Sequence, residues 1–109
     1  MNPQKLTLKS QETLRTAQEI ASSYGNQYVE PHHVLAAMLQ DPQGIIPPML
    51  MQIGANVTYL KVKVNESIAA IPKVSGVNLA NQYLSQATGA LVETAMREAE
   101  RMGDEYVSV

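Results

Sequence analysis

The 109-residue chain has no cysteine, no phenylalanine and no tryptophan. Without cysteine it has no disulfide framework, no thiolate nucleophile and no cysteine-based zinc site, which fits a reducing compartment. An excess of charge of one sign is also missing, since eight Lys plus Arg stand against ten Asp plus Glu for a net charge of −2. No basic stripe is present to neutralise several phosphates at once, and this excludes a nucleic-acid binder working by counterion release. The apolar runs are too short to span a membrane, and residues 1–10 lack the apolar core of a secretory signal, so the expected location is cytoplasmic. No G-x-x-x-x-G-K-[ST] phosphate loop occurs; the step Lys9-Ser10 lacks the preceding glycines, so the chain is expected neither to bind nor to hydrolyse ATP. No two acids are framed for acid/base work and no serine sits in a strained nucleophile turn, so the expectation is no enzymatic activity.

What remains is 45% hydrophobic and rests on Ala, Val, Leu, Ile, six Met and five Tyr. Small side chains let helices approach closely, which points to an all-α domain. A first helix begins after Thr7, an N-cap residue type, and carries Leu14, Ala17, Ala21 and Tyr24 at helical spacing until Gly25 stops it. Glu30-Pro31 opens a second helix with proline at its first position, and the nearly continuous run Val34, Leu35, Ala36, Ala37, Met38, Leu39 marks it as centrally buried. Asp41-Pro42-Gln43-Gly44 is a turn. Residues 45–53 form a short helix provided that Pro47 and Pro48 lie in its first turn. Asn56 caps a fourth helix with Val57, Leu60, Val64, Ile68 and Ile71 on one face, ended by Pro72. Within it, residues 60–64 alternate as a strand does, but the longer helical period favours helix. Residues 73–82 read as a connecting loop, and Ser85 caps a last helix running to Gly103.

Laying the last helix over the first at an offset of 78 residues reveals an internal repeat. Leu6 falls on Leu84, Thr16 on Thr94, Ala17 on Ala95, Ala21 on Ala99, Gly25 on Gly103, Tyr28 on Tyr106 and Val29 on Val107, with Thr7/Ser85, Ser10/Thr88 and Leu14/Val92 as conservative pairs. The expected organisation is a first repeat over about 6–72, a linker over about 73–82 and the start of a second repeat over 83–109. Each is read as a helical hairpin unit packed about a pseudo-twofold axis. The second copy reaches Val109 where its apolar helix is due. Val92, Ala95, Ala99 and Met102 are then expected to lack cover from their own chain, which favours self-association, segment swapping or marginal stability.

At Leu6-Thr7, Ala17-Gln18, Ala21, the segment 28–39 and the segment 103–108, the sequence resembles the N-terminal domain of the Clp/Hsp100 AAA+ unfoldases, a double-repeat helical domain. The resemblance covers the whole chain, and residues 71–76 with 25–27 are more similar to the ClpB-like disaggregase branch. It implies a non-catalytic module on a hexameric ATPase ring that engages unfolded or aggregated polypeptides, with no cofactor in this chain because ATP and Mg belong to later domains. Related branches use the domain to dock adaptors, so a stand-alone accessory protein of a Clp protease is the alternative. Carried over from the family, the groove between the repeats falls on Thr7, Leu91, Val92 and Asp104. Each also has a local explanation: Thr7 as an N-cap, Leu91 and Val92 as core, Asp104 as a turn residue.

Other residues have plainer readings. His32 and His33 point about 100° apart on a helix and cannot share a metal without a donor such as Glu30, so His33 is assigned to packing or capping. Glu93, Arg97, Glu98, Glu100 and Arg101 form a solvated face with an expected Glu93–Arg97 pair. Met49 and Met51 are expected to fill core.

Overall fold

A computed structural model describes residues 5–76 and 82–109. The order is α1 (Leu8–Ser23), β1 (Tyr28–Val29), α2 (Pro31–Gln40), α3 (Ile46–Gln52), α4 (Val57–Ala69), β2 (Tyr83–Leu84) and α5 (Gln86–Arg101). The helix ends follow the sequence signals. Thr7, Asn56 and Ser85 accept the N–H of Ser10, Tyr59 and Thr88 as N-caps, and Pro31 opens α2. At the other end of α1, Gly25 adopts φ +70°, which allows Gly25 N–H to reach Ser22 O and Asn26 N–H to reach Ala21 O at 2.8 Å. This Schellman closure recurs at Gly103 (φ +78°), with Asp104 N–H on Ala99 O at 2.7 Å.

Helix α2 lies between two apolar clusters. Its Val34 and Ala37 meet Ala17, Ala21 and Val29, with Leu14, Met38 and Leu84 at the margin. Its Ala36 and Leu39 meet Val64 and Ile68 of α4. Alanine at positions 17, 21, 36 and 37 removes the bulk between α1, α2 and α4, so an aromatic-free core closes by backbone approach. The strand-like stretch 60–64 is helical, and Val57, Leu60, Val64 and Ile68 of α4 face the second cluster.

Three findings depart from the expectations. The first repeat is four helices rather than a hairpin, because α3 and α4 complete the far side of α2. Met49 and Met51 are not core filler: they are 54% and 65% exposed, since seven-residue α3 packs only through residues such as Ile46 and Leu50. On α5 the ion pair is Glu98–Arg101 at 2.6 Å, while Arg97 donates to Thr94.

Small extended segments join the two repeats. Strand β1 pairs parallel with β2, Tyr28 opposite Tyr83 and Val29 opposite Leu84. A matching parallel bridge links Leu6 and Val107. Ser85 N–H donates to Val29 O at 3.0 Å, and Thr7 N–H donates to Val107 O at 2.9 Å. The side chains follow suit, with Thr88 Oγ1 donating to Val29 O at 2.6 Å and Ser10 Oγ to Val107 O at 2.9 Å. The Val29–Leu84 pair and the hydrogen bonds to Val29 O each map onto their mates at Val107 and Leu6 by the 78-residue offset.

Buried His33 seals the turn between α1 and α2. The Glu30 N–H donates to Nδ1 at 2.8 Å, so Nδ1 carries no proton, and Nε2–H donates to Asn26 Oδ1 at 2.9 Å. Burial pushes the imidazole pKa below its ordinary 6.5, outweighing the pull of Glu30, and His32 adds to the lowering. Unfolded chains therefore bind more protons at His33 than folded ones as pH drops through and below 6.5. Stability from this group is complete above that pH and is lost below it. The melting temperature should fall between about pH 7.5 and 5.5, and His33→Gln should remove this component of the slope; a wild-type melt flat over that range would contradict the assignment. Thr88→Val should cost about 1–3 kcal/mol in urea unfolding, because Val29 O loses its buried hydroxyl partner.

Candidate functional site

A cleft of about 140 Å³ opens where the two repeats meet. Leu6 and Val92 form its floor, Leu14 comes from α1, Val34 and Met38 from α2, and Leu91 stands at the rim, 44% exposed. The segment 107–109 closes one side. Two of the hydroxyls that border it have backbone partners: Ser10 donates to Val107 O and Thr13 to Lys9 O, while Ser108 lies in the segment that closes one side. What faces a ligand is aliphatic and thioether surface, and Met38 can repack around different shapes.

The four residues assigned from the sequence do not all meet here. Leu91 and Val92 line the cleft, Val92 buried beneath and Leu91 outward. Thr7 caps α1, its Oγ1 accepting Ser10 N–H and donating to Ser10 Oγ, so it stands behind a cleft residue without lining the cleft. Asp104 lies exposed in a separate depression with Lys5, Glu100 and Glu105, which Val107 divides from the apolar cleft. The walls from α2 were not assigned from the sequence. Val34 and Met38 sit in a run apolar on most sides, and nothing local marks which residue faces a cleft. Ser10 was visible only as the mate of Thr88.

Among the described residues, no group of three or more His, Cys, Asp or Glu is placed to hold a metal ion, and the one buried imidazole has both nitrogens engaged. Lys9 and Asp41 form a 2.7 Å pair tying the start of α1 to the end of α2; this hydrogen bond lowers the Asp41 pKa and raises that of Lys9. No helix among the described residues is long and apolar enough to cross a membrane.

The Clp repeat (R) N-terminal domain model matches residues 5–109. The chain belongs to that family. Chaperone protein ClpB of Corynebacterium diphtheriae is 36% identical over 94% of this chain, and ClpB of Porphyromonas gingivalis is 34% identical over all of it. The chain spans 12% of the length of each. Among solved structures, the Hsp104 N-terminal domain of Candida albicans superposes with TM-score 0.85 at 20% identity, over 95% of this chain and 67% of that one. The N-domain of ClpV from Vibrio cholerae gives 0.80 at 17% identity, over 94% and 60%. The all-α double-repeat reading is therefore the architecture of this Clp domain, with the short parallel ladder as its seam.

Thr7→Ala should destabilise the Clp domain by about 1 kcal/mol through loss of the N-cap, read as a lower urea midpoint with unchanged slope. A midpoint equal to wild type would remove Thr7 from the capping role.

Proposed function

We propose that this chain is a non-catalytic substrate- or adaptor-binding module of a ClpB-like protein disaggregase. The cleft takes apolar side chains of unfolded or aggregated polypeptides, in the cytoplasm, and holds them near a hexameric AAA+ ring whose later domains carry ATP and Mg. One observation supports this above the others: the cleft between the repeats is lined mainly by aliphatic side chains, and the hydroxyls of Ser10 and Thr13 beside it are already bonded to backbone. Such a surface discriminates weakly among apolar groups, which suits a binder of many sequences. The names of the relatives agree with this reading. In it, Leu91 and Val92 contact substrate directly, Thr7 holds the α1 end of the groove in shape, and Asp104 sets the charge beside it.

Leu91→Asp tests the proposal. A carboxylate at the rim should reduce affinity for reduced, carboxymethylated lactalbumin on the order of tenfold, the equivalent of about 1.4 kcal/mol, while helical circular dichroism stays near wild type. Equal affinity for wild type and variant would move the binding site elsewhere.

A further inference from the structure

One peptide unit carries hydrogen bonds to both repeats. The Val29–Glu30 peptide donates its N–H to His33 Nδ1 at 2.8 Å, and its carbonyl accepts Ser85 N–H at 3.0 Å and Thr88 Oγ1 at 2.6 Å. The first bond belongs to the opening turn of α2, the other two to the opening turn of α5. A trans peptide is planar and stiff, so its N–H and C=O turn together. An N–H that donates to a basic nitrogen also polarises the group and makes its oxygen a better acceptor. The starts of α2 and α5 are therefore coupled through a single plane.

His33 has little freedom to adjust. Its ring is fully buried, and Nε2–H is held at 2.9 Å by Oδ1 of Asn26, itself buried. Asn26 is fixed in turn, because its N–H closes α1 on Ala21 O at 2.8 Å and its carbonyl accepts Gln82 Nε2 at 3.1 Å. Since Nδ1 acts as an acceptor, only the neutral ring in this one tautomer fits. A second proton on the ring sits on Nδ1 and faces the Glu30 N–H, donor against donor.

We propose that the Val29–Glu30 peptide is a proton-sensitive joint between the two repeats: neutral His33 holds its carbonyl on the start of α5, and protonation of the ring turns that carbonyl away from Thr88 and Ser85. With Nε2 anchored by Asn26, the peptide is the part that yields. The joint loosens before the helices melt, because the cluster of Ala36, Leu39, Val64 and Ile68 on the far side of α2 takes no bond from this peptide. The proposal goes beyond the binding role and does not rest on it.

The surroundings leave the ring in control of this joint. Burial opposes its protonation most strongly, Glu30 favours it and His32 opposes it. Lys73, on the segment after α4, lies beside Gly25. Glu19 near the end of α1 and Lys61, Lys63 and Glu66 of α4 are exposed, and the first turn of α5 has no charged side chain. Tyr24, Tyr28 and Tyr83 complete the titratable groups of the α1 end and the two strands. Lysine and tyrosine side chains keep their protons in acid, so the imidazoles of His32 and His33 are what changes charge between about pH 7.5 and 5.0. A closed joint favours the neutral ring, and by linkage anything that weakens the bonds to the carbonyl makes His33 easier to protonate.

The test is an NMR titration of the isotopically labelled 109-residue chain over about pH 7.5 to 5.0, above the ordinary carboxylate range. It follows the His33 ring nitrogens, the Val29 carbonyl carbon, the Glu30 and Ser85 amides, and the through-bond coupling between Ser85 N and the Val29 carbonyl. The expected result is one shared midpoint, below the ordinary 6.5, with the coupling fading as the ring gains its proton. The Leu39 and Ile68 amides hold their positions. His32→Gln should leave this behaviour intact, and His33→Gln should abolish it. Thr88→Val should raise the His33 midpoint by about half a pH unit, which is a roughly threefold weaker joint, and this arm stands even where His33→Gln does not fold. A ring that takes up its proton while Val29 and Ser85 stay unmoved overturns the joint. So does movement that persists in His33→Gln, a change at Leu39 and Ile68 that coincides with the rest, or an unshifted midpoint in Thr88→Val.

Discussion

The fold depends on a reciprocal crossing. Ser10, in the first turn of α1, donates its hydroxyl to the carbonyl of Val107 after α5, and Thr88, in the first turn of α5, donates to the carbonyl of Val29 after α1. The partners are separated by 97 and 59 residues along the chain, so neither bond forms until both helices are in place. Each hydroxyl belongs to a cap whose own N–H groups are already satisfied locally by Thr7 or Ser85. Local capping thus leaves one donor over for a long-range bond, and the two-residue ladders align it. Helices joined end to end in this way must lie close, which explains a core built from Ala and Val with no large aromatic ring.

The two copies use one pattern for different ends. Ala17 and Ala21 are fully buried beneath α2, while their mates Ala95 and Ala99 remain half-buried. The first copy exchanges its receptor surface for stability, because Val34 and Met38 occupy it. Among the described residues of the second copy, the corresponding side chains line the cleft, and acids lie at the far end. Replacement of Asn26 by Asp104 at the corresponding turn is informative: a neutral amide suits a sealed contact with a neutral imidazole, whereas a carboxylate in that sealed position would carry a large desolvation cost. Exposed, as Asp104 is, it costs little.

Features set by a few neighbouring residues were legible in the sequence. N-caps, terminating glycines and the proline opening of α2 each arise from a hydrogen bond or a φ angle within one turn, so residue type alone carries them. The repeat was legible for the same reason, since ten positions hold those local roles in phase. The ladders β1 and β2 were not, because two residues are too few to show alternation against a helical background. Burial of Met49 and Met51 was misjudged because a seven-residue helix has too little length to declare its buried face. The cleft was half legible. Leu91 and Val92 lie on the helix that reveals the repeat, but the opposing wall, Val34 and Met38, is contributed by packing between repeats, which no local pattern encodes.

The size of the cleft constrains how a module of this kind works. A space of about 140 Å³ holds one or two aliphatic side chains. Burying each contributes roughly 1.5–3 kcal/mol, and association itself costs at least about 4 kcal/mol. The remainder is at most about 2 kcal/mol, which corresponds to dissociation constants no tighter than about tens of millimolar for a single site. Weak single-site capture is the useful regime for a domain that hands its ligand onward, since a tight complex would retain it. In the proposed setting, six such domains on one ring raise the effective concentration of sites for a long chain bearing several apolar stretches, so avidity arises without any single tight contact. The same reasoning favours apolar grip over charge or hydrogen bonds at the floor of the cleft: a buried polar anchor would add affinity only for the sequences that match it and penalise all others.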